Sequence, residues 1–67
     1  MSANKLKGKL RENQLTYEKC AEKLGITITA LSNKLNGKSV FTVPEAVKLA
    51  EILGLTKTES IDIFFAL

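Results

Sequence analysis

Uncharged hydrogen-bonding side chains are concentrated in one short segment of the chain, GITITALSNKLNGK at residues 25–38. They belong to five residues: Thr27, Thr29, Ser32, Asn33 and Asn36. Hydroxyl and carboxamide groups donate and accept hydrogen bonds without carrying charge, and an asparagine can pair bidentately with adenine. This composition predicts hydrogen bonding to a polar surface such as the edges of bases.

The apolar residues of the same segment have helical spacing from Ile28 to Leu35. With Ile28 at 0° and a step of about 100° per residue, Leu31 lies at about 300° and Leu35 at about 340°. The polar residues fill one continuous arc, from Ser32 at about 40° to Asn33 at about 140°. A helix that only faced water would more often carry Glu and Lys there. We therefore expect the arc to face a major groove.

Residues at the edges of the arc have competing interpretations. Ser, Thr and Asn also cap helices and close turns for local reasons, which would account for Thr27 and Asn36 without a partner. Ile28 would either pack inward with Leu35 or touch a thymine methyl group. Lys34, at about 240° on the same wheel, lies beside the apolar side. We expect its stem to carry the ammonium to water or to phosphate.

Positive charge is concentrated in the N-terminal part of the chain. Residues 1–38 hold eight Lys and Arg against three Glu, a net charge of +5, whereas residues 39–67 hold two Lys against four acidic residues, a net charge of −2. The first part would attract a polyanion. Solvated helix faces also carry lysine, and that is the expected role of four early cations: Lys5, Lys7, Lys9 and Arg11.

Length and composition exclude several classes of protein. With 67 residues we expect a single domain, and with one cysteine and no histidine neither an internal disulfide nor a zinc site can form. An enzyme would need a nucleophile–base pair or a phosphate-binding glycine loop, and neither is evident. No apolar run resembles a signal peptide or a membrane span. We expect a cytoplasmic protein without a metal, a cofactor or a small-molecule ligand.

Capping signals divide the chain into five predicted helices, without a strand pattern. The first covers about residues 3–13, the second begins after Thr16 and ends at Gly25, and the third begins after Thr27. Two T-x-x-E capping boxes open the fourth and fifth helices at residues 42–45 and 56–59. The fourth ends at Gly54, and the fifth extends through IDIFFAL. The inward residues predicted for the fourth helix are Val43, Ala46, Val47, Ala50 and Leu53.

The second and third helices are joined by so few residues that they must cross steeply, as in a helix-turn-helix. Such a corner needs a small residue in the second helix, and Ala21 fits. It needs a residue tolerant of positive φ in the turn, and Gly25 fits. Ile26 would fill the corner, and Leu31 would anchor the third helix inward.

The segment LTYEKCAEKLGITITALSNKLNGKSVFT resembles the helix-turn-helix of lambda-repressor-like, or Cro and XRE-type, phage regulators. The pattern T-x-x-x-x-A-x-x-L-G, the polar helix after it and the N-G-K that follows carry the resemblance. FTVPEAVKLAEILGL and IDIFF also resemble the last two helices of small phage-encoded members. The implied fold is an all-α, five-helix DNA-binding domain. Two positions depart from the family pattern: Cys20 stands where leucine is usual, and Ile28 where a polar residue is often found.

The resemblance implies roles for residues in and around the third helix. The expected base contacts are Ile28, Thr29, Ser32 and Asn33. The expected phosphate contacts, with Lys34 added from its place on the helix, are Tyr17, Thr27, Lys34, Asn36, Gly37, Lys38 and Thr42. Family members usually bind inverted repeats as dimers. The candidates for a dimer interface are Ile61, Phe64, Phe65 and Leu67.

We therefore expect a sequence-specific regulator of double-stranded DNA, in the simplest case a Cro-like phage or prophage repressor that acts as a homodimer. The competing interpretation of the C-terminal apolar residues is closure of the monomer core, with Phe64 inside and Phe65 or Leu67 partly exposed. The alternative function is a protein-interaction module of the antirepressor or antitoxin type. Its affinity for DNA would not depend on Thr29 and Asn33.

Overall fold

Five α-helices and one π-helical turn make up the fold in the computed structural model, which describes residues 1–65. They are α1 (Ala3–Glu12), α2 (Tyr17–Leu24), α3 (Ile28–Leu35), α4 (Val43–Leu53), α5 (Lys57–Ser60) and the π-helical turn Ile61–Phe65. No strand occurs in the described part of the chain. The all-helical, five-helix architecture predicted from the sequence is thereby confirmed.

Threonine side chains begin four of the five helices. The Oγ1 atoms of Thr16, Thr27, Thr42 and Thr56 each accept a hydrogen bond from the backbone N–H three residues later, at 3.0–3.2 Å. Each cap contributes about 1 kcal/mol, because it satisfies an N–H that has no partner within the helix. Both predicted capping boxes are present. Local sequence therefore fixes where these helices start.

Pairs of leucines spaced i, i+4 supply most of the core. They lie on α1, α3 and α4, and cysteine and alanine on α2 pack against them. The buried cluster consists of Leu6, Leu10, Cys20, Ala21, Leu24, Leu31, Leu35, Leu49, Leu53 and Ile63. The expected core position of Cys20 is confirmed, and burial raises the pKa of its thiol.

The inward face of α4 differs from the predicted one. Val43 and Val47 are 66% and 54% exposed, whereas Leu49, which was not predicted to be inward, is fully buried. Ala46, Leu49 and Leu53 have i, i+3, i+7 spacing and form one stripe. Rotating α4 to bury the valines would remove Leu49 from the core cluster, where it is fully buried.

The C-terminal helix also differs from prediction, because α-helical geometry ends at Ser60 and a π-helical turn follows. Ile63 becomes the buried residue of this turn, although the sequence pattern did not single it out. Phe64 packs on the core and Phe65 is 61% exposed, as predicted. Leu67, a dimer candidate, lies outside the described residues.

Polar contacts hold α1 against the C-terminal turn. The Ser2 N–H donates to the Ile63 carbonyl at 2.7 Å, and Lys5 Nζ lies 2.6 Å from Asp62 Oδ2. Lys9 Nζ pairs with Glu59, and this contact lowers the pKa of that carboxyl to about 2. Lys5 and Lys9 therefore also form ion pairs with the C-terminal segment, which the expected solvated face did not include; the Lys5 side chain stays 54% exposed, whereas that of Lys9 is 27% exposed.

Candidate nucleic-acid interface

The corner between α2 and α3 is closed by backbone hydrogen bonds. Gly25 has φ +75° and its N–H donates to the Glu22 carbonyl at 3.2 Å, while the Ile26 N–H donates to the Ala21 carbonyl at 3.0 Å. This pair of bonds is a Schellman motif, which needs the left-handed conformation that glycine adopts freely. Ile26 packs on the core immediately before the Thr27 cap. The direction of α3 is therefore fixed by its own entry sequence.

The two sides of α3 have opposite character. Leu31 and Leu35 are at most 1% exposed and face the core, whereas Thr29 is exposed and Asn33 is half-buried. Ile28 is 48% exposed, so the interpretation that it packs inward with Leu35 is wrong. The polar arc predicted from the sequence therefore faces outward at its centre.

Some hydrogen-bonding groups of the arc have partners and others do not. Asn36 Nδ2 donates to Ser32 Oγ at 3.3 Å, and Thr27 Oγ1 accepts from the Ala30 N–H while its own proton stays available. Among the hydrogen bonds within residues 1–65, none uses the hydroxyl of Thr29 or the carboxamide of Asn33. These two side chains are free to bind an external partner.

A short exposed loop follows α3 and includes a left-handed residue, Gly37, at φ +79°. The Asn33 carbonyl accepts hydrogen bonds from the Lys38 N–H at 2.8 Å and from the Ser39 N–H at 3.3 Å. Asn36, Gly37 and Lys38 are all exposed. The loop therefore continues the outer side of α3 with an exposed cation. On α2, the first residue, Tyr17, is 37% exposed.

Lys34 has different partners from those expected at the sequence level. Its Nζ lies 2.8 Å from Glu45 Oε1 and donates to the Val40 carbonyl at 3.0 Å, and only 13% of its side chain is exposed. The ammonium is also 5.7 Å from the centroid of the Phe41 ring. These hydrogen bonds point into the protein, a placement that the expected phosphate contact of Lys34 did not anticipate.

Thr42 also has internal partners. Its backbone N–H donates to Glu45 Oε1 at 2.8 Å and its Oγ1 accepts from the Glu45 N–H at 3.2 Å, so the hydroxyl proton is the group left to reach outward. The hydrogen bond from Lys34, followed by that from the Thr42 backbone, lowers the pKa of Glu45. The sequence identified Glu45 only as part of a capping box.

Exposed apolar side chains surround a groove beside the loop after α3. The groove has a volume of about 640 Å³, and its lining includes Gly37, Val40, Val43 and Phe65. Val40 is 82% exposed. Of the predicted dimer residues in the described chain, Ile61 and Phe65 are exposed and Phe64 is half-buried. The sequence missed Val40 and Val43 as surface residues.

Comparison with known proteins agrees with this geometry. A family model described as helix-turn-helix matches residues 6–60, which include both helices of the corner and the loop after α3. Neither the curated proteins nor the solved structures give a significant match. None of the helices in residues 1–65 has the length and apolarity needed to cross a membrane. The chain therefore belongs to the lambda-repressor-like, Cro/XRE-type helix-turn-helix family of DNA-binding regulators.

Proposed function

We propose that this protein is a sequence-specific repressor of the Cro type, which reads the major groove of duplex DNA with α3. The observation that carries the proposal is the outward side of α3, where Thr29 and Asn33 present hydrogen-bonding groups without partners in the described chain. A carboxamide pairs bidentately with adenine, and an exposed Ile28 can contact a thymine methyl group. Ser32 contributes from the buried edge of the same arc.

Phosphate contacts would fix the position of α3 along the major groove of the DNA. Lys38 supplies the charge, and the exposed Gly37 beside it has an N–H held only by a long hydrogen bond to the Lys34 carbonyl, at 3.4 Å. The remaining candidates are hydroxyl and carboxamide groups around the corner: Tyr17, Thr27, Asn36 and Thr42. Lys34 is excluded from this set because its ammonium is already paired with Glu45.

The size of the reading helix supports a homodimer. α3 has eight residues and is therefore about 12 Å long, which spans about four base pairs. So short a site cannot be selective, whereas two copies on an inverted repeat would double it. The exposed Val43 and Phe65, which line the apolar groove together with Phe64, support a second copy as its occupant. Ile61 is a further exposed apolar residue of the C-terminal turn. The resemblance to small phage regulators extends the proposal to a phage or prophage repressor in the cytoplasm.

Selection of bound sites from random duplex DNA, followed by two variants, tests the function. Asn33→Ala should reduce discrimination between the selected and a scrambled site by about 1–3 kcal/mol, because it removes a base contact. Lys38→Ala should weaken binding to both duplexes equally and reduce the slope of log K against log salt by about 1. Equal losses on both duplexes for Asn33→Ala would overturn its role in reading bases.

The same measurements separate the repressor from the protein-interaction module. If the wild-type protein selects no site, and Thr29→Ala and Asn33→Ala leave its affinity for duplex DNA unchanged, α3 does not read bases. The interaction module would then be the better account of the exposed apolar groove.

A further inference from the structure

The ammonium of Lys34 connects three parts of the chain. From the last turn of α3, it donates to the Val40 carbonyl in the loop and to the carboxylate of Glu45 in the first turn of α4. It also lies over the ring of Phe41, which packs on the core. Two of its three N–H donors are thereby used inside the protein.

One oxygen of Glu45 completes this connection. Glu45 Oε1 accepts both from Lys34 Nζ and from the backbone N–H of Thr42, each at 2.8 Å. Residues 36–42 therefore have their two ends fixed to the same carboxylate, one through α3 and the other through the α4 cap. A segment held in this way has less conformational entropy to lose when it binds a partner, and each ordered residue otherwise costs about 1–2 kcal/mol.

We propose that Lys34 is a positioning residue, which holds residues 36–42 in the conformation that meets phosphate and does not itself contact DNA. This inference rests on the proposed function, because it assigns a role within the same interface. A direct phosphate contact would require the ammonium to leave both the Val40 carbonyl and the Glu45 carboxylate. The positioning role keeps these bonds when DNA is bound.

Glu45→Gln distinguishes the two roles by the sign of its effect. Glutamine still accepts the Thr42 N–H in a capping box, but it carries no charge to hold Lys34. If Lys34 positions the loop, the affinity for the selected duplex falls by about 3- to 10-fold, in the lower part of the range of coupling within one hydrogen-bonded network. If Lys34 contacts phosphate directly, freeing it and removing a nearby anion strengthens binding.

The chain offers a matched control in Glu59→Gln. Glu59 also belongs to a capping box and also pairs with a lysine, but it joins α5 to α1 and lies away from α3. The substitution therefore changes the net charge and the type of contact in the same way. Glu45→Gln must bind the duplex at least 3-fold more weakly than Glu59→Gln; equal or tighter binding overturns the proposal. Circular dichroism verifies that both variants are folded at the assay temperature.

Lys34→Met supplies a second, independent test. Methionine keeps an apolar stem beside Phe41 but removes the ammonium. Because the charge of Glu45 acts through Lys34, the loss for the double variant with Glu45→Gln should equal that of Lys34→Met alone, which also removes the bond to the Val40 carbonyl. If the fold losses in affinity of the two single variants multiply in the double variant, the shared role is overturned.

Hydrogen exchange in the protein without DNA measures the positioning directly. The Lys38 N–H, which donates to the Asn33 carbonyl at 2.8 Å, should exchange at least 3-fold faster in Lys34→Met and Glu45→Gln, and unchanged exchange there overturns the proposal. Failure of this inference differs from failure of the proposed function. In the first case the wild-type protein binds its selected site and both glutamine variants bind equally; in the second the wild-type protein selects no site.

Discussion

The rings of Phe41 and Phe64 meet edge to face, with centroids 6.1 Å apart and planes at 83° to each other. Phe41 belongs to the loop after α3 and Phe64 to the C-terminal π-helical turn, and both pack on the core. The contact therefore links the candidate phosphate-binding loop to the segment proposed for dimer formation.

We expect Phe64→Ala to lower the free energy of unfolding by about 2–3 kcal/mol, below the range for fully buried phenylalanine because Phe64 is only half-buried. Phe64→Leu keeps apolar volume and should cost less. In a double-mutant cycle that combines Phe64→Leu with Phe41→Leu, urea denaturation should give a coupling free energy of about 0.5–1.5 kcal/mol. Strictly additive losses would show that the ring geometry contributes nothing beyond burial.

Two glycines should respond to alanine with opposite signs. No atom lies within 4 Å of a Cβ built at Gly8 or at Gly25, so neither substitution causes a clash. Gly8 is inside α1, and Gly8→Ala should stabilise the protein by about 0.5–1 kcal/mol. Gly25 has φ +75°, and Gly25→Ala should destabilise it by about 1–2 kcal/mol. Urea denaturation measures the change in the free energy of unfolding for both variants. Changes of the same sign would contradict the explanation by backbone conformation.

Helix starts and the reading helix could be predicted because their causes are local. Thr27 bonds an amide only three residues away, and Leu31 and Leu35 leave one orientation for α3. The face of α4 could not be predicted, because seven of its eleven positions are apolar and several orientations bury a similar number of them. The choice of Leu49 over Val47 depends on the neighbours of α4.

Parts of the candidate site depend on contacts between distant residues, which one sequence does not reveal. Lys34 and Glu45 are 11 residues apart, and each has a sufficient local interpretation, as a solvated cation and as a capping residue. The π-helical turn could not be predicted for the same reason, because the Ile63 carbonyl accepts a hydrogen bond from the N–H of Ser2 at the other end of the described chain. Only the folded structure brings these pairs together.

The ion pair of Glu59 predicts how stability depends on pH. Its hydrogen bond from Lys9, and then that from the Thr56 N–H, lowers the pKa from 4.5 to about 2. A carboxylate with a lower pKa in the folded state stabilises the fold above its unfolded pKa, and this contribution is lost as the pH falls through the folded value. The difference in Tm between the wild type and Glu59→Gln should therefore be constant near neutral pH, shrink below pH 4.5 and vanish near pH 2.

Thermal denaturation followed by circular dichroism across this pH range tests the expectation. Glu51→Gln is the control for net charge, because Glu51 is exposed and has no ion pair among residues 1–65. High salt should reduce the difference for Glu59→Gln, since the pair is partly exposed. A difference in Tm that persists undiminished at pH 2 would contradict the assignment.

Self-association should depend on Phe65 and not on Ile28, although both are exposed apolar residues, at 61% and 48%. Phe65 lines the apolar groove proposed for a second copy, whereas Ile28 lies on the outward side of α3. Phe65→Glu places a charge where apolar surface must be buried, so sedimentation equilibrium should show a dimer dissociation constant raised by at least about tenfold. Ile28→Glu should leave that constant unchanged and weaken duplex binding. A monomeric wild type, or equal dimerisation of both variants, would refute the proposed interface.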